Sequence, residues 1–144
     1  MPSRLVLDTN VCLDLFVFAD ARCAALLEAL RAGRAEAVTR ADCRDEWLAV
    51  LRYPQLALDE ARRARAAAAF DAHVRCLPAG GLPACEGAAL PRCADPDDQK
   101  FLELAWQSRA AWLLSKDRAL LGLARRAQRA GLFRIGMPQQ WTPS

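Results

Sequence analysis

Short apolar runs alternate with longer stretches in which apolar residues recur every three or four positions. Leu5-Val6-Leu7 is apolar throughout and ends in Asp8-Thr9-Asn10, the pattern of a buried parallel strand followed by a turn. From about residue 20 to 33, Ala24, Ala25, Leu27 and Leu30 fall at helical spacing, and Gly33 follows as a C-cap. Ala37-Val38-Thr39 predicts a second strand. Residues 40–52 read as a helix stopped by Pro54. A long Ala- and Arg-rich helix is expected from Leu58 to about Leu77, with Asp59 and Glu60 favouring its first turn. Residues 78–94 carry three Pro and three Gly and read as a loop, with room for a short strand near Arg75-Cys76-Leu77. A helix over Pro96–Ser108, a strand over Ala111–Ser115, a helix over Arg118–Ala130 closed by Gly131, and a strand at Phe133-Arg134-Ile135 complete the pattern. The organisation expected is one domain over residues 1–137 and a C-terminal tail over 138–144.

Strands alternating with helices predict an α/β fold: a central, mainly parallel sheet between two helical layers. Ligands of such sheets bind outside the carboxyl ends of the strands. Asp8 and Asp117 each stand just past the carboxyl end of a predicted strand. Glu46 lies one turn before Val50, on the side of its helix that carries Trp47, Val50 and Leu51. Asp98 stands three and four positions before Phe101 and Leu102, on the inward face of its helix. Each acid has a plain alternative, because Asp caps helices and first-turn acids suit the helix dipole. Asp95 fits the N-cap better than Asp98, and Asp42, Asp45 and Asp97 fit first-turn roles. Taken as a set, Asp8, Glu46, Asp98 and Asp117 predict one acidic crevice. Converging carboxylates raise one another's pKa, and a divalent cation relieves the repulsion. An all-oxygen donor set suits Mg²⁺ or Mn²⁺.

Composition narrows the chemistry. With 53% hydrophobic and 26% charged residues in 144, the chain has the makeup of a globular domain with its own core. No apolar run reaches the length of a membrane span, and the N-terminal pattern lacks a signal peptide, so a cytoplasmic protein is expected. Six cysteines without a C-x-x-C pair, and a single His73, argue against zinc and for free thiols. No glycine-rich phosphate loop is present. The net charge is +3, yet of 20 basic residues only Lys100 and Lys116 are lysines, and both lie beside candidate acids. A compact ammonium there fits a phosphate. Arg62, Arg63 and Arg65, or Arg125, Arg126 and Arg129, could guide a nucleic-acid strand electrostatically, although a solvated helix face is the favoured account of them. Trp47 and Trp112 read as core. Trp141, in the tail, reads as a stacking or partner surface.

The runs Leu5-Val6-Leu7-Asp8-Thr9-Asn10-Val11, Glu46-Trp47-Leu48-Ala49-Val50-Leu51-Arg52-Tyr53-Pro54, Asp95-Pro96-Asp97-Asp98-Gln99-Lys100-Phe101-Leu102-Glu103-Leu104-Ala105 and Leu114-Ser115-Lys116-Asp117-Arg118-Ala119-Leu120-Leu121, in that order, resemble PIN-domain ribonucleases. The nearest likeness is to the toxin components of bacterial toxin–antitoxin pairs, and it covers nearly the whole chain. The resemblance implies a three-layer α/β/α PIN-like fold and cleavage of single-stranded RNA with Mg²⁺ or Mn²⁺. It implies catalytic and metal-binding roles for Asp8, Glu46, Asp98 and Asp117, with Thr9, Asn10, Ser115, Lys100 and Lys116 toward the substrate. A cognate antitoxin protein and a homodimer are the partners it implies. Gln99 and Ala119 stand where relatives often carry Asp, so accessory acids there are missing. The rival readings are a non-catalytic PIN-like module that binds RNA or protein, and a phospho-acceptor domain. The second usually has paired acids after its first strand, where only Asp8 stands here. A structure-specific DNA nuclease ranks below both, because the chain lacks long insertions to grip a duplex.

Overall fold

The computed structural model describes residues 2–86 and 89–143. Five strands form one sheet: β1 (Ser3–Leu7), β2 (Ala35–Thr39), β3 (Val74–Cys76), β4 (Trp112–Leu114) and β5 (Arg134–Gly136). Their order is β3-β2-β1-β4-β5 and every pairing is parallel. The sequence expectation of a three-layer α/β/α architecture holds. β1 is central and pairs Val6 with Val38 on one side and with Leu113 on the other. Alternation along the strands divides the core in two. Leu5, Leu7, Ala37 and Leu114 pack with Val11, Leu15, Leu26, Trp47 and Phe70 on one face. Val6, Val38 and Leu113 pack with Phe101, Leu102, Leu120 and Ile135 on the other. Both faces are covered, which is why these strands read as continuous apolar runs.

The helices are α1 (Thr9–Phe16), α2 (Ala24–Arg31), α3 (Ala41–Val50), α4 (Glu60–His73), α5 (Gln99–Gln107), α6 (Arg118–Leu121) and α7 (Ala124–Arg129). α1 is absent from the sequence reading, where Asp-Thr-Asn reads only as a turn. Asp8 caps it instead: its side chain accepts from Thr9 N, and the helix continues through Val11, Cys12 and Leu15. The expected helix over 20–33 splits into a 3₁₀ turn, Ala21–Cys23, and α2. Gly33 then takes φ +73°, as its C-capping role requires. The helix expected to reach Leu77 stops at His73, where β3 begins and pairs with β2. Asp95 caps the 3₁₀ turn Pro96–Asp98 that leads into α5, accepting from Asp97 N. The single helix expected over 118–130 breaks between Leu121 and Ala124, around Gly122, the poorest helix former in the segment.

The loop expected over 78–94 includes residues 87 and 88, which lie outside the described residues. Its described parts are pinned to α5. The Gln99 side chain accepts from Cys93 N and donates to the Pro91 carbonyl, and Gln107 donates to the Pro83 carbonyl. Gln99 thus holds a loop. Trp47 is buried against Phe70, with ring centroids 5.2 Å apart. Trp112 is half-buried beneath Arg134. Trp141 is 4% exposed and packs into the core, so its ring is no open stacking surface. The cysteines are free thiols among the described residues, and Cys12, Cys23, Cys43 and Cys93 are buried. No helix among the described residues is long and apolar enough to cross a membrane.

Candidate metal centre

β1 and β4 are neighbours, and the strand order runs outward from them in opposite directions, to β2 and β3 on one side and to β5 on the other. That is the topological switch point at which parallel sheets open a crevice beyond the strands' carboxyl ends. Asp8 follows β1 and Asp117 follows β4. Asp98 reaches the same place from the turn before α5. One carboxylate oxygen from each of Asp8, Asp98 and Asp117 lies within 4.8 Å of the others.

A small hydrogen-bonded frame holds the strand-end acids. Asp8 is 4% exposed. Its Oδ1 accepts from Thr9 N at 2.7 Å, and its Oδ2 from the Ser115 hydroxyl at 2.7 Å and Asn10 Nδ2 at 3.3 Å. Ser115, fully buried, accepts in turn from Asp117 N at 2.9 Å. The Asn10 side-chain oxygen accepts from Lys116 N at 3.2 Å. Asn10 and Ser115 therefore tie the turn after β1 to the turn after β4. Asp117 also caps α6, accepting from Ala119 N at 3.0 Å. Cap and crevice acid are not alternatives here, since each of the two strand-end carboxylates serves in both places.

The electrostatics follow from the convergence. Burial pushes the Asp8 carboxyl up. Its bonds from Ser115 and Thr9 oppose the rise, and the charges of Glu46 and Asp117 add to it. Asp98 is pushed up to about 8, first by burial, then by its hydrogen bond with Asp117 and the charges of Asp8, Asp117 and Asp95. Asp117 is held below the usual carboxylate range by that bond and by Ala119 N. Asp98 thus favours its protonated form beside an Asp117 that favours its ionised form. A hard divalent cation would do the work of that proton with more charge, and a donor set of three carboxylates without imidazole or thiolate suits one. The buried Cys12 thiol beneath Asp8 is pushed far up by burial and by the Asp8 charge, so it stays protonated.

Glu46 stands beside this trio rather than in it. Its Oε2 accepts from the Thr9 hydroxyl and its Oε1 from Lys100 Nζ at 2.8 Å. Lys100 also donates to the Asp97 carbonyl. Burial works against the Lys100 charge, but the bond and charge of Glu46 outweigh it and hold the ammonium above its ordinary value. The Lys116 ammonium contacts Asp14 at 2.7 Å. Asp14 is 5% exposed, on α1 between Leu13 and Leu15, and the sequence reading passes over it. The signal for it was an acid one turn from Val11 on an apolar helix, legible only once α1 is recognised.

Arg62 and Arg65 are exposed on α4, and Arg125, Arg126 and Arg129 on α7, while Arg63 donates to the Leu58 carbonyl. No curated protein matches the chain. A family model described as PIN domain matches residues 4–119. PIN domains are generally nucleases and typically bind divalent metals. The match takes in β1 through β4 and all three convergent acids, spans well over half of the sequence, and shows that the chain belongs to the PIN domain family.

Proposed function

We propose that the protein is a metal-dependent endoribonuclease that hydrolyses phosphodiester bonds of single-stranded RNA, with Mg²⁺ or Mn²⁺ as its cofactor. The observation that carries the reading is the convergence of Asp8, Asp98 and Asp117 at the β1/β4 switch point. A bound divalent cation supplies an activated water and offsets charge developing on the phosphodiester. The chain's residues do the rest. Asp8, Asp98 and Asp117 would hold the ion. Asp117, which favours its ionised form, would also orient the attacking water. Thr9, Asn10 and Ser115 orient these acids through the bonds described above. Glu46 anchors Lys100 at the edge of the crevice. The exposed Arg residues of α4 and α7 steer the RNA backbone.

Cleavage of single-stranded RNA with Mg²⁺ or Mn²⁺, by the wild type and by Asp8→Asn, tests the reading. Loss of at least a hundredfold in rate is expected for the variant, as for removal of a group that stabilises transition-state charge. Equal cleavage by both proteins sinks the assigned centre. No cleavage by either favours a PIN-like module that binds RNA or protein without cutting it.

The resemblance to toxin components extends the proposal. The protein acts in the cytoplasm as the toxin of a toxin–antitoxin pair, as a homodimer silenced by a cognate antitoxin protein. A small adjacent reading frame for a DNA-binding protein that forms a complex with this chain supports the role. A solitary gene counts against it.

A further inference from the structure

Both oxygens of Glu46 are taken. One accepts from the Thr9 hydroxyl and the other from Lys100 Nζ at 2.8 Å. The two side chains come from different helices, α3 and α5, and are only 27% and 18% exposed. The ammonium is fixed a second time by the Asp97 carbonyl, one residue before Asp98. It therefore ties Glu46 to the backbone next to Asp98. A two-metal centre needs its ions about 3.5–4 Å apart, each with carboxylates of its own. Beside Asp8, Asp98 and Asp117, the fourth acid of the sequence set is Glu46, and a cation already sits on it. The residue type fits the role. In a chain whose other basic residues, Lys116 apart, are all Arg, this position carries the compact ammonium, a point charge closer in shape to a metal ion than a planar guanidinium is.

We infer that Lys100 is a resident cation that takes the place of a second metal ion at Glu46, so that the centre binds one divalent ion, on Asp8, Asp98 and Asp117. The inference rests on the metal-centre reading of the proposed function and adds the number of ions and the reason for it. Glu46 and Lys100 form a neutral pair that flanks the ion. Removal of the ammonium frees a carboxylate next to three others and creates the missing second site.

Counting Mn²⁺ equivalents, by calorimetry and by the electron paramagnetic resonance signal of free Mn²⁺, tests this without reference to activity. The wild type is expected to bind one equivalent. Lys100→Met is expected to bind two, and Lys100→Met with Glu46→Gln one again. Lys100→Gln, which keeps a hydrogen-bond donor for Glu46 without the charge, also gains the second equivalent and covers the case in which the Met variant does not fold. Two equivalents in the wild type overturn the inference. So does a single equivalent in a folded Lys100→Gln protein. Asp8→Asn separates the two levels of the reading: if it binds Mn²⁺ as the wild type does, or if the wild type binds none, the metal centre itself falls, and the inference with it.

Discussion

Asp98 is the residue at which stability and metal binding pull apart most sharply. Its carboxyl rises from 3.8 to about 8 on folding, so the folded protein keeps a proton that the unfolded chain gives up. The sign follows from linkage. Below about pH 4 the group is neutral in both states and contributes nothing. As pH climbs from about 4 to about 8 the unfolded state is increasingly favoured, and above about 8 the penalty levels off. For a fully enclosed group the shift corresponds to roughly 4 kcal/mol at pH 7, at about 1.36 kcal/mol per unit. Asp98 is only half-buried, and the lowered value of Asp117 returns part of the penalty. Solvent screening and this return bring the expectation down to about 1–2 kcal/mol. Asp98→Asn keeps the shape and supplies a permanent N–H toward Asp117 in place of the borrowed proton. The metal-free variant is therefore expected to melt about 3–6 °C above the wild type at pH 8. The gap should close near pH 4. Saturating Mn²⁺ should reverse the order: at a hundred times its dissociation constant it adds about 2.7 kcal/mol to a protein that binds it, and little to the variant. Thermal unfolding in chelator and in Mn²⁺, across that pH range, checks all three statements. A variant no more stable than the wild type at pH 8, or a gap that narrows as pH rises, refutes the like-charge account of the crevice.

Two further expectations concern groups the centre depends on. Lys116→Met leaves the buried Asp14 carboxylate without its ammonium and is expected to cost about 2–3 kcal/mol in denaturant unfolding. Most of that loss should be recovered when Asp14→Asn is added, and additive losses would show that the contact carries no coupling. Trp47→Ala removes a ring stacked on Phe70 and is expected to cost about 3–5 kcal/mol. Trp47→Phe should cost less than half of that, because the Trp47 indole N–H is buried without a hydrogen-bond partner among the described residues. Equal losses for the two substitutions would mean that the N–H is satisfied after all.

The architecture was legible because both faces of the sheet are covered. Continuous apolar runs then mark the strands, and the strand ends mark the crevice, which made Asp8 and Asp117 readable together. Asp98 was readable from its spacing to Phe101 and Leu102. What local pattern could not give was double use. In sequence Asp8 reads as either a cap or a site acid, and the helix it caps is hidden because Asp-Thr-Asn carries turn chemistry as strongly as capping chemistry. Partners chosen by the tertiary fold were equally out of reach. Nothing in sequence places the Lys116 ammonium on Asp14, residues apart by most of the chain, or gives Glu46 to Lys100 and Thr9. The break around Gly122 follows the weak helix propensity of that residue, and the early end of α4 is set by where β3 pairs with β2.

The bonds through Ser115 and Asn10 have a mechanical consequence. They join two loops from adjacent strands into one unit, with a fully buried hydroxyl at its centre. Asp8 and Asp117 cannot then drift apart without breaking that joint and exposing part of the sheet's end. Asp98 and Glu46 arrive outside it, from the turn before α5 and from α3. The crevice is built like a vice with one fixed jaw and one adjustable jaw. Any opening to admit or release a strand falls to the helices, and amide hydrogen exchange should find the turns after β1 and β4 slower than the start of α5.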